Sequence, residues 1–191
     1  MPELLTEKEQ KELLKIARAT IVEYVTNRYI PDIVTTSPGL NLHSGCFVTI
    51  KKQGQLRGCI GNFVSEQPLY LLVQEMSISA ATRDPRFYPM KREDLADFTI
   101  DISVLSPLTK AASREEIQVG IHGIYIVKGS CRGVLLPQVA TEYGWNRDQF
   151  LQHTCIKAGL PEDAWQEECD IYIFSALVFG EESVSGLQPT L

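Results

Sequence analysis

The hydrophobic positions along this chain repeat with two periods. Leu13, Leu14, Ala17, Ile21, Tyr24 and Val25 recur at helical spacing, which predicts an amphipathic helix running to about Arg28 and stopped by Pro31. Thr6-Glu7-Lys8-Glu9 precedes that stripe as a capping box, in which threonine and glutamate each satisfy an N–H that the first turn leaves orphaned. Leu69, Leu72, Val73, Met76 and Ala80 form a second helical stripe, opened by Ser65 to Pro68, where a missing N–H does no harm. A third helix is predicted from Arg147 to Ala158, with Asn146 as its cap, Gly159 as its stop and Pro161 just beyond.

The other period is two. Phe98, Ile100, Ile102 and Val104 alternate with Thr99, Asp101 and Ser103, the pattern of a half-buried strand. Cys46 to Lys52 and Gln55 to Asn62 read as strands joined by the turn Gln53-Gly54, a tight hairpin. Ile124 to Val127 and Val134 to Leu136 flank Lys128-Gly129-Ser130 as a second hairpin, and Ile171 to Phe179 reads as one long apolar strand. Residues 31–44 make an irregular loop, and Asp84-Pro85-Arg86-Phe87-Tyr88-Pro89 cannot be helical throughout, because each proline restricts the residue before it. Mixed helices and strands with two hairpins favour an α+β fold with an antiparallel sheet over a βαβ fold.

Composition narrows the function classes. The 191 residues are 44% hydrophobic, which excludes a disordered or fibrous chain. Eighteen basic against 24 acidic side chains give a formal charge of −6. That balance, with no interleaving of basic and aromatic residues, disfavours nucleic acid and anionic membrane as partners. The polar start of the sequence is not a signal peptide, and Ile171 to Gly180 falls far short of the ~20 residues of a membrane helix. A cytoplasmic protein with reduced thiols is the expectation. Five cysteines, at 46, 59, 131, 155 and 169, contain no C-x-x-C pair, so neither a metal site nor an iron–sulfur cluster is expected. No dinucleotide or phosphate-loop motif is present either, so no cofactor is expected.

The most chemical segment is Leu56-Arg57-Gly58-Cys59-Ile60-Gly61. Glycines within a strand mark close approach of a ligand or of another backbone. Arg57 and Cys59, two apart, project from one face of an extended strand, and a guanidinium beside a thiol favours the thiolate and binds carboxylate or phosphate. If Gln53-Gly54 is a two-residue turn, Lys52 faces Gln55, Ile50 faces Arg57 and Val48 faces Cys59. Cys46 then lies diagonal to Cys59 at roughly 7–8 Å, too far for an unstrained disulfide. A one-residue slip would set Cys59 beside Phe47, Thr49 and Lys51 instead. Cys59 is accordingly either a reactive thiol or a small buried hydrophobe.

The ordered set Gly45-Cys46-Phe47-Val48-Thr49, Leu56 to Gly61, Asp84-Pro85-Arg86-Phe87, Gly133 to Ala140, Phe150-Leu151, Thr154-Cys155 and Lys157 to Leu160 resembles the AMMECR domain family, whose prokaryotic members are called AmmeMemoRadiSam system protein A. The resemblance runs through nearly the whole chain. It implies one AMMECR-type domain over residues 1–191, with two lobes built from non-contiguous segments and a cleft between them that presents the Arg-Gly-Cys strand. It also implies association with a Memo-like protein and a radical S-adenosylmethionine protein, while the family's own activity is not established.

Other candidates join that strand. Asp84 could orient Arg57 or act as a base, and its plainer role is an Asx-turn paired with an arginine. Arg86, Gly58, Gly61 and Gln138 are candidate substrate contacts, and Gln138 follows Leu136-Pro137 at the start of a helix. His122, just before a strand, is the imidazole best placed to partner Cys59, with a structural hydrogen bond as its plainer role. Trp145 and Trp165 read as packing residues, and His153 and Cys155, two apart on a helix, face different ways and make no metal pair. Two function classes follow. In the first, Cys59 serves as nucleophile or attachment point for a small anionic or peptide substrate, with Arg57, Asp84 and His122 assisting. In the second, the chain is a noncatalytic adaptor with a structural Cys59.

Overall fold

Two antiparallel four-stranded sheets organise the chain in the computed structural model, which describes residues 5–167 and 169–182. The strands are β1 (Cys46–Lys52), β2 (Gln55–Asn62), β3 (Thr99–Leu105), β4 (Thr109–Lys110), β5 (Gly123–Lys128), β6 (Cys131–Leu135), β7 (Asp170–Phe174) and β8 (Ala176–Gly180). The helices are α1 (Glu7–Asn27), α2 (Leu69–Thr82), α3 (Pro137–Glu142) and α4 (Arg147–Lys157). The architecture is α+β, as the mixed periods predict. The chain divides into two units, Met1–Val104 with Leu177–Leu191, and Leu105–Ala176.

The first unit holds the sheet ordered β2-β1-β3-β8. Helix α1 begins at the predicted capping box, with both reciprocal bonds between Thr6 and Glu9 present, and ends where Arg28 turns left-handed at φ 57°, before Pro31 is reached. Leu13, Leu14, Ala17 and Ile21 of α1 and Leu69, Leu72, Val73 and Ala80 of α2 are buried with Val48, Ile50, Ile100 and Ile102 of the sheet in one core. The C-terminal part of this unit is tied back by Arg18, whose guanidinium forks onto both oxygens of Glu181 and also donates to the Phe98 carbonyl.

In the second unit the sheet runs β4-β7-β5-β6. Its core gathers Ile124 and Ile126 of β5 with Phe150, Leu151 and Cys155 of α4 and Trp165. Helix α4 starts at a capping box formed by Asn146 and Gln149. Its backbone sits close on β6, because a side chain at Gly133 would meet Ala158 N at 2.5 Å and Thr154 O at 2.6 Å.

Three expectations change. The single strand read over 171–179 is two strands, β7 and β8, which belong to different sheets and break at Ser175. Apolarity is continuous there because both halves, exposed Val178 apart, are half-buried or buried, so hydropathy cannot reveal the break. Lys128 belongs to β5, opposite Cys131, so the second hairpin turns on Gly129-Ser130 alone. The third change is the register of β1 against β2, and it sets the candidate site.

Candidate functional site around Cys59

Strand β2 pairs with β1 through a bulge. Lys52 faces Gln55 and Lys51 faces Leu56, as a two-residue turn requires, but Ile50 then faces Gly58 and Thr49 faces Cys59. Arg57 is the extra residue, and every later residue of β2 changes face. The unbulged register would turn Arg57 and Cys59 toward the core with Val48 and Ile50. In the observed one, Gly58 and Ile60 face that core, and Cys59 lies with Thr49 on the opposite face. The energetic reason is plain: an unpaired guanidinium is costly to bury, and glycine and isoleucine are not.

Both glycines of the motif answer to protein neighbours. A Cβ on Gly58 would stand 2.1 Å from the Ala80 carbonyl oxygen, so α2 crosses β2 at a distance only glycine allows. A Cβ on Gly61 would fall 2.4 Å from the Cys46 carbonyl and from the Phe47 ring. The close approach predicted for these positions is therefore made by the fold itself.

Cys59 is half-buried, and its Sγ accepts a hydrogen bond from the Thr49 hydroxyl at 3.2 Å. Its backbone points outward from the edge of the sheet. The Cys59 N–H donates to Asp84 Oδ2 at 2.8 Å, and its carbonyl accepts from Arg86 Nη2 at 3.3 Å. Asp84 and Arg86 thus occupy the edge of β2 where a neighbouring strand would otherwise pair. Asp84 is almost fully buried, at 2% side-chain exposure, and also accepts from Arg86 Nε at 2.9 Å, Arg86 Nη2 at 2.7 Å and the Arg86 backbone N–H at 3.1 Å. The Arg86 guanidinium first, then the Cys59 and Arg86 backbone N–H groups, hold its carboxyl far below the usual carboxylate range despite burial. So firmly held an anion is a poor base near neutrality, and the geometry gives Asp84 its plainer role, an Asx-turn that fixes Arg86 and the Cys59 backbone. Arg86 in turn holds its own proton more firmly, mainly through Asp84 and to a smaller degree through charge at Cys59.

Arg57 is oriented by a different carboxylate. Its Nη2 donates to the Tyr88 carbonyl at 2.8 Å and lies 3.4 Å from Asp94 Oδ2. Asp94 also takes Lys52 at 2.9 Å and the Lys91 N–H at 3.0 Å, and these bonds lower its carboxyl, the Lys91 bond foremost. The Arg57 and Arg86 guanidinium carbons lie 5.9 and 5.5 Å from the centre of the Phe87 ring. The 84–89 turn therefore sets one aromatic ring within cation–π reach of both arginines.

The structure brings Arg57, Gly58, Cys59, Gly61, Asp84 and Arg86 together in the first unit. His122 and Gln138 belong to the second. His122 Nδ1 lies 3.1 Å from the Glu116 carbonyl and 3.3 Å from the Gln118 N–H, contacts that close its own turn. Gln138 is exposed in α3, and its carbonyl accepts from the Thr141 hydroxyl. Cys46 faces Asn62 inside the core, where burial pushes its thiol far up, and burial likewise raises Cys155 and Cys169. All five cysteines are free. Trp145 does more than pack: it stacks on His153 at 3.8 Å and on Tyr143 at 4.8 Å. Among the described residues, no three His, Cys, Asp or Glu side chains form a metal-binding set, and no helix is long and apolar enough to cross a membrane.

Thr49 and Asp94 complete the site, and neither sits in a pattern that marks it. The one legible hint of Thr49 is the slipped register, which sets Cys59 beside it; Asp94 is an ordinary acidic residue of a polar loop.

Comparison with known proteins agrees with this architecture. The AMMECR1 family model matches residues 14–179. A protein of Methanothermobacter thermautotrophicus is 42% identical over 188 residues, covering 93% of this chain and 97% of the relative. A protein of Methanopyrus kandleri is 41% identical over 196 residues, covering 97% and 95%. Among solved structures, an uncharacterized protein from Pyrococcus horikoshii superposes with a TM-score of 0.85 at 34% identity, covering 97% of each chain.

Proposed function

We propose, from the premise that the chain belongs to the AMMECR1 family, that it presents Cys59 as a nucleophile or covalent attachment point to a small anionic or peptide substrate. In this reading it works as one component of a modification system together with a Memo-like protein and a radical S-adenosylmethionine protein. The observation that carries the proposal is the surrounding of one thiol. Cys59 faces away from the helix-packed core, its sulfur accepts a hydrogen bond from Thr49, its carbonyl accepts from Arg86, which Asp84 holds, and Arg57, two residues before it, is held by Asp94. Hydrogen-bond donors and cations favour thiolate over thiol, and the same cations attract an anionic substrate.

The test is the rate of alkylation of each cysteine by iodoacetamide as a function of pH, mapped by mass spectrometry. Cys59 should react first at neutral pH, and Arg57→Ala and Arg86→Ala should each slow it several-fold. A Cys59 as inert as Cys46 in the folded protein would overturn the proposal.

A second reading has its own observation. Gly58, Gly61, Asp84 and Arg86 are each fully accounted for by contacts within the protein, which suits a noncatalytic adaptor with a structural Cys59. An inert Cys59, together with a Cys59→Ser variant that still binds the Memo-like or radical partner, would establish that reading instead.

A further inference from the structure

We infer that Thr49 serves Cys59 as the hydrogen-bond donor to its sulfur during attack, and that the site serves displacement at sulfur or saturated carbon and not acyl transfer. The inference rests on the reading of Cys59 as a nucleophile and adds what kind of electrophile it meets. In acyl transfer the attacked carbonyl oxygen becomes an oxyanion, and a donor aimed at that oxygen, commonly the nucleophile's own backbone N–H, carries much of the catalysis. Here the Cys59 N–H is committed to Asp84 Oδ2 at 2.8 Å, and Gly58 is closed in against the Ala80 carbonyl. The nucleophile's own N–H is therefore not offered to an oxyanion.

The sulfur itself is supplied with a donor. Thr49 Oγ1 lies 3.2 Å from Sγ, directly across the β1–β2 pair. The charged groups around it are Arg86 with Asp84, Arg57 with Asp94, and Lys51 paired with Asp101, the residue that faces Thr49 from β3. Each of these cations is held in place by a carboxylate, and the Thr49 hydroxyl is the neutral donor given directly to the sulfur. Such a site suits a reaction in which charge leaves with the departing group. With a disulfide as electrophile, the Cys59 thiolate attacks one sulfur, a new S–S bond forms as the old one breaks, and the second sulfur departs as a thiolate carrying the electron pair.

The full-length chain is treated with 4,4′-dithiodipyridine between pH 5 and 9, with release of the pyridinethione followed optically and the modified cysteine mapped. Separate samples receive p-nitrophenyl acetate. The inference expects Cys59 to be modified first and no multiple-turnover ester hydrolysis. It further expects Thr49→Val, matched in shape, to slow the neutral-pH reaction about tenfold and move its pH midpoint upward, while Thr49→Ser restores both. A reactive Cys59 whose rate and pH profile are unchanged in Thr49→Val, or repeated ester turnover that depends on Cys59, overturns the inference and leaves the proposed nucleophile standing. A wild-type Cys59 inert to every probe overturns both.

Discussion

The two hairpins of this protein solve one packing problem in different ways. In each, the second strand carries a glycine on which a helix backbone rests: Gly58 of β2 under α2, and Gly133 of β6 under α4. The β5–β6 hairpin does so in plain register, with Lys128 opposite Cys131 and only Gly129 of its turn at positive φ, the II′ pattern. The β1–β2 hairpin turns through Gln53 and Gly54, both at positive φ as in a type I′ turn, and then inserts the bulge at Arg57. In β6, Cys131 lies an even number of residues from Gly133, so an unbroken strand sets both on the helix side. In β2, Cys59 is adjacent to Gly58, so the tight glycine contact on one face places a thiol on the other. One extra residue therefore separates a hairpin that only packs from a hairpin that also displays chemistry.

The sharpest way to break this comparison is to fill the two glycines. Gly58→Ala is expected to cost about 3 kcal/mol and Gly133→Ala about 2 kcal/mol, because the new methyl meets unyielding backbone in both and the approach is closer at Gly58. Urea midpoints measure both, and a larger loss at Gly133 would contradict the tighter seat of α2.

A smaller effect is expected at the device that caps the edge of β2. Asp84→Asn should cost about 2 kcal/mol, since it weakens charge-assisted bonds to Arg86 and to the Cys59 N–H. The folded carboxyl is depressed, so its contribution is present above its ordinary value of 3.8 and is lost as pH falls toward the depressed one. The gap in stability between wild type and Asp84→Asn should therefore narrow on acidification, and a constant gap would exclude the electrostatic origin.

The smallest effect compares the caps of α1 and α4. Both are capping boxes, but Glu9 is ionisable and Gln149 is not. Bonds from Ser37, Thr6 and Gly39 lower Glu9 from 4.5 to about 2. Being partly exposed, it contributes only about 1 kcal/mol after solvent screening. That contribution is present above pH 4.5 and lost between there and about pH 2. Glu9→Gln should remove it at neutral pH, with the difference from wild type vanishing in acid, as denaturant titrations at several pH values will reveal.

Much of the fold was legible because it is local. The capping box of α1, the Asn146 cap of α4, the buried stripe of α2 and the alternation of β3 each depend on residues a few positions apart. The site was only partly legible. Arg57, Cys59, Asp84 and Arg86 stand out by composition, and the Asx-turn of Asp84 follows from a residue type beside a proline. The register of β2 does not follow from the turn, although one clue was present: a register that turns Arg57 unpaired into the apolar core and exposes Ile60 is not energetically sound. Thr49 and Asp94 left almost no trace, since a threonine in a strand and an aspartate in a polar loop are what most proteins contain.

By itself, then, the sequence determined which segments become helix or strand and which residues could carry chemistry, because propensity, capping and periodicity act over one or two turns of chain. Tertiary structure decided which face Cys59 occupies, which carboxylate holds which arginine, and that one apolar run serves two sheets. Most of those outcomes depend on contacts between residues far apart in sequence: 10 positions for Thr49 and Cys59, 37 for Arg57 and Asp94, and 163 where Arg18 meets Glu181. They are settled by the cost of burying a charge and by the room a helix needs on a strand, and neither quantity exists until the pieces meet.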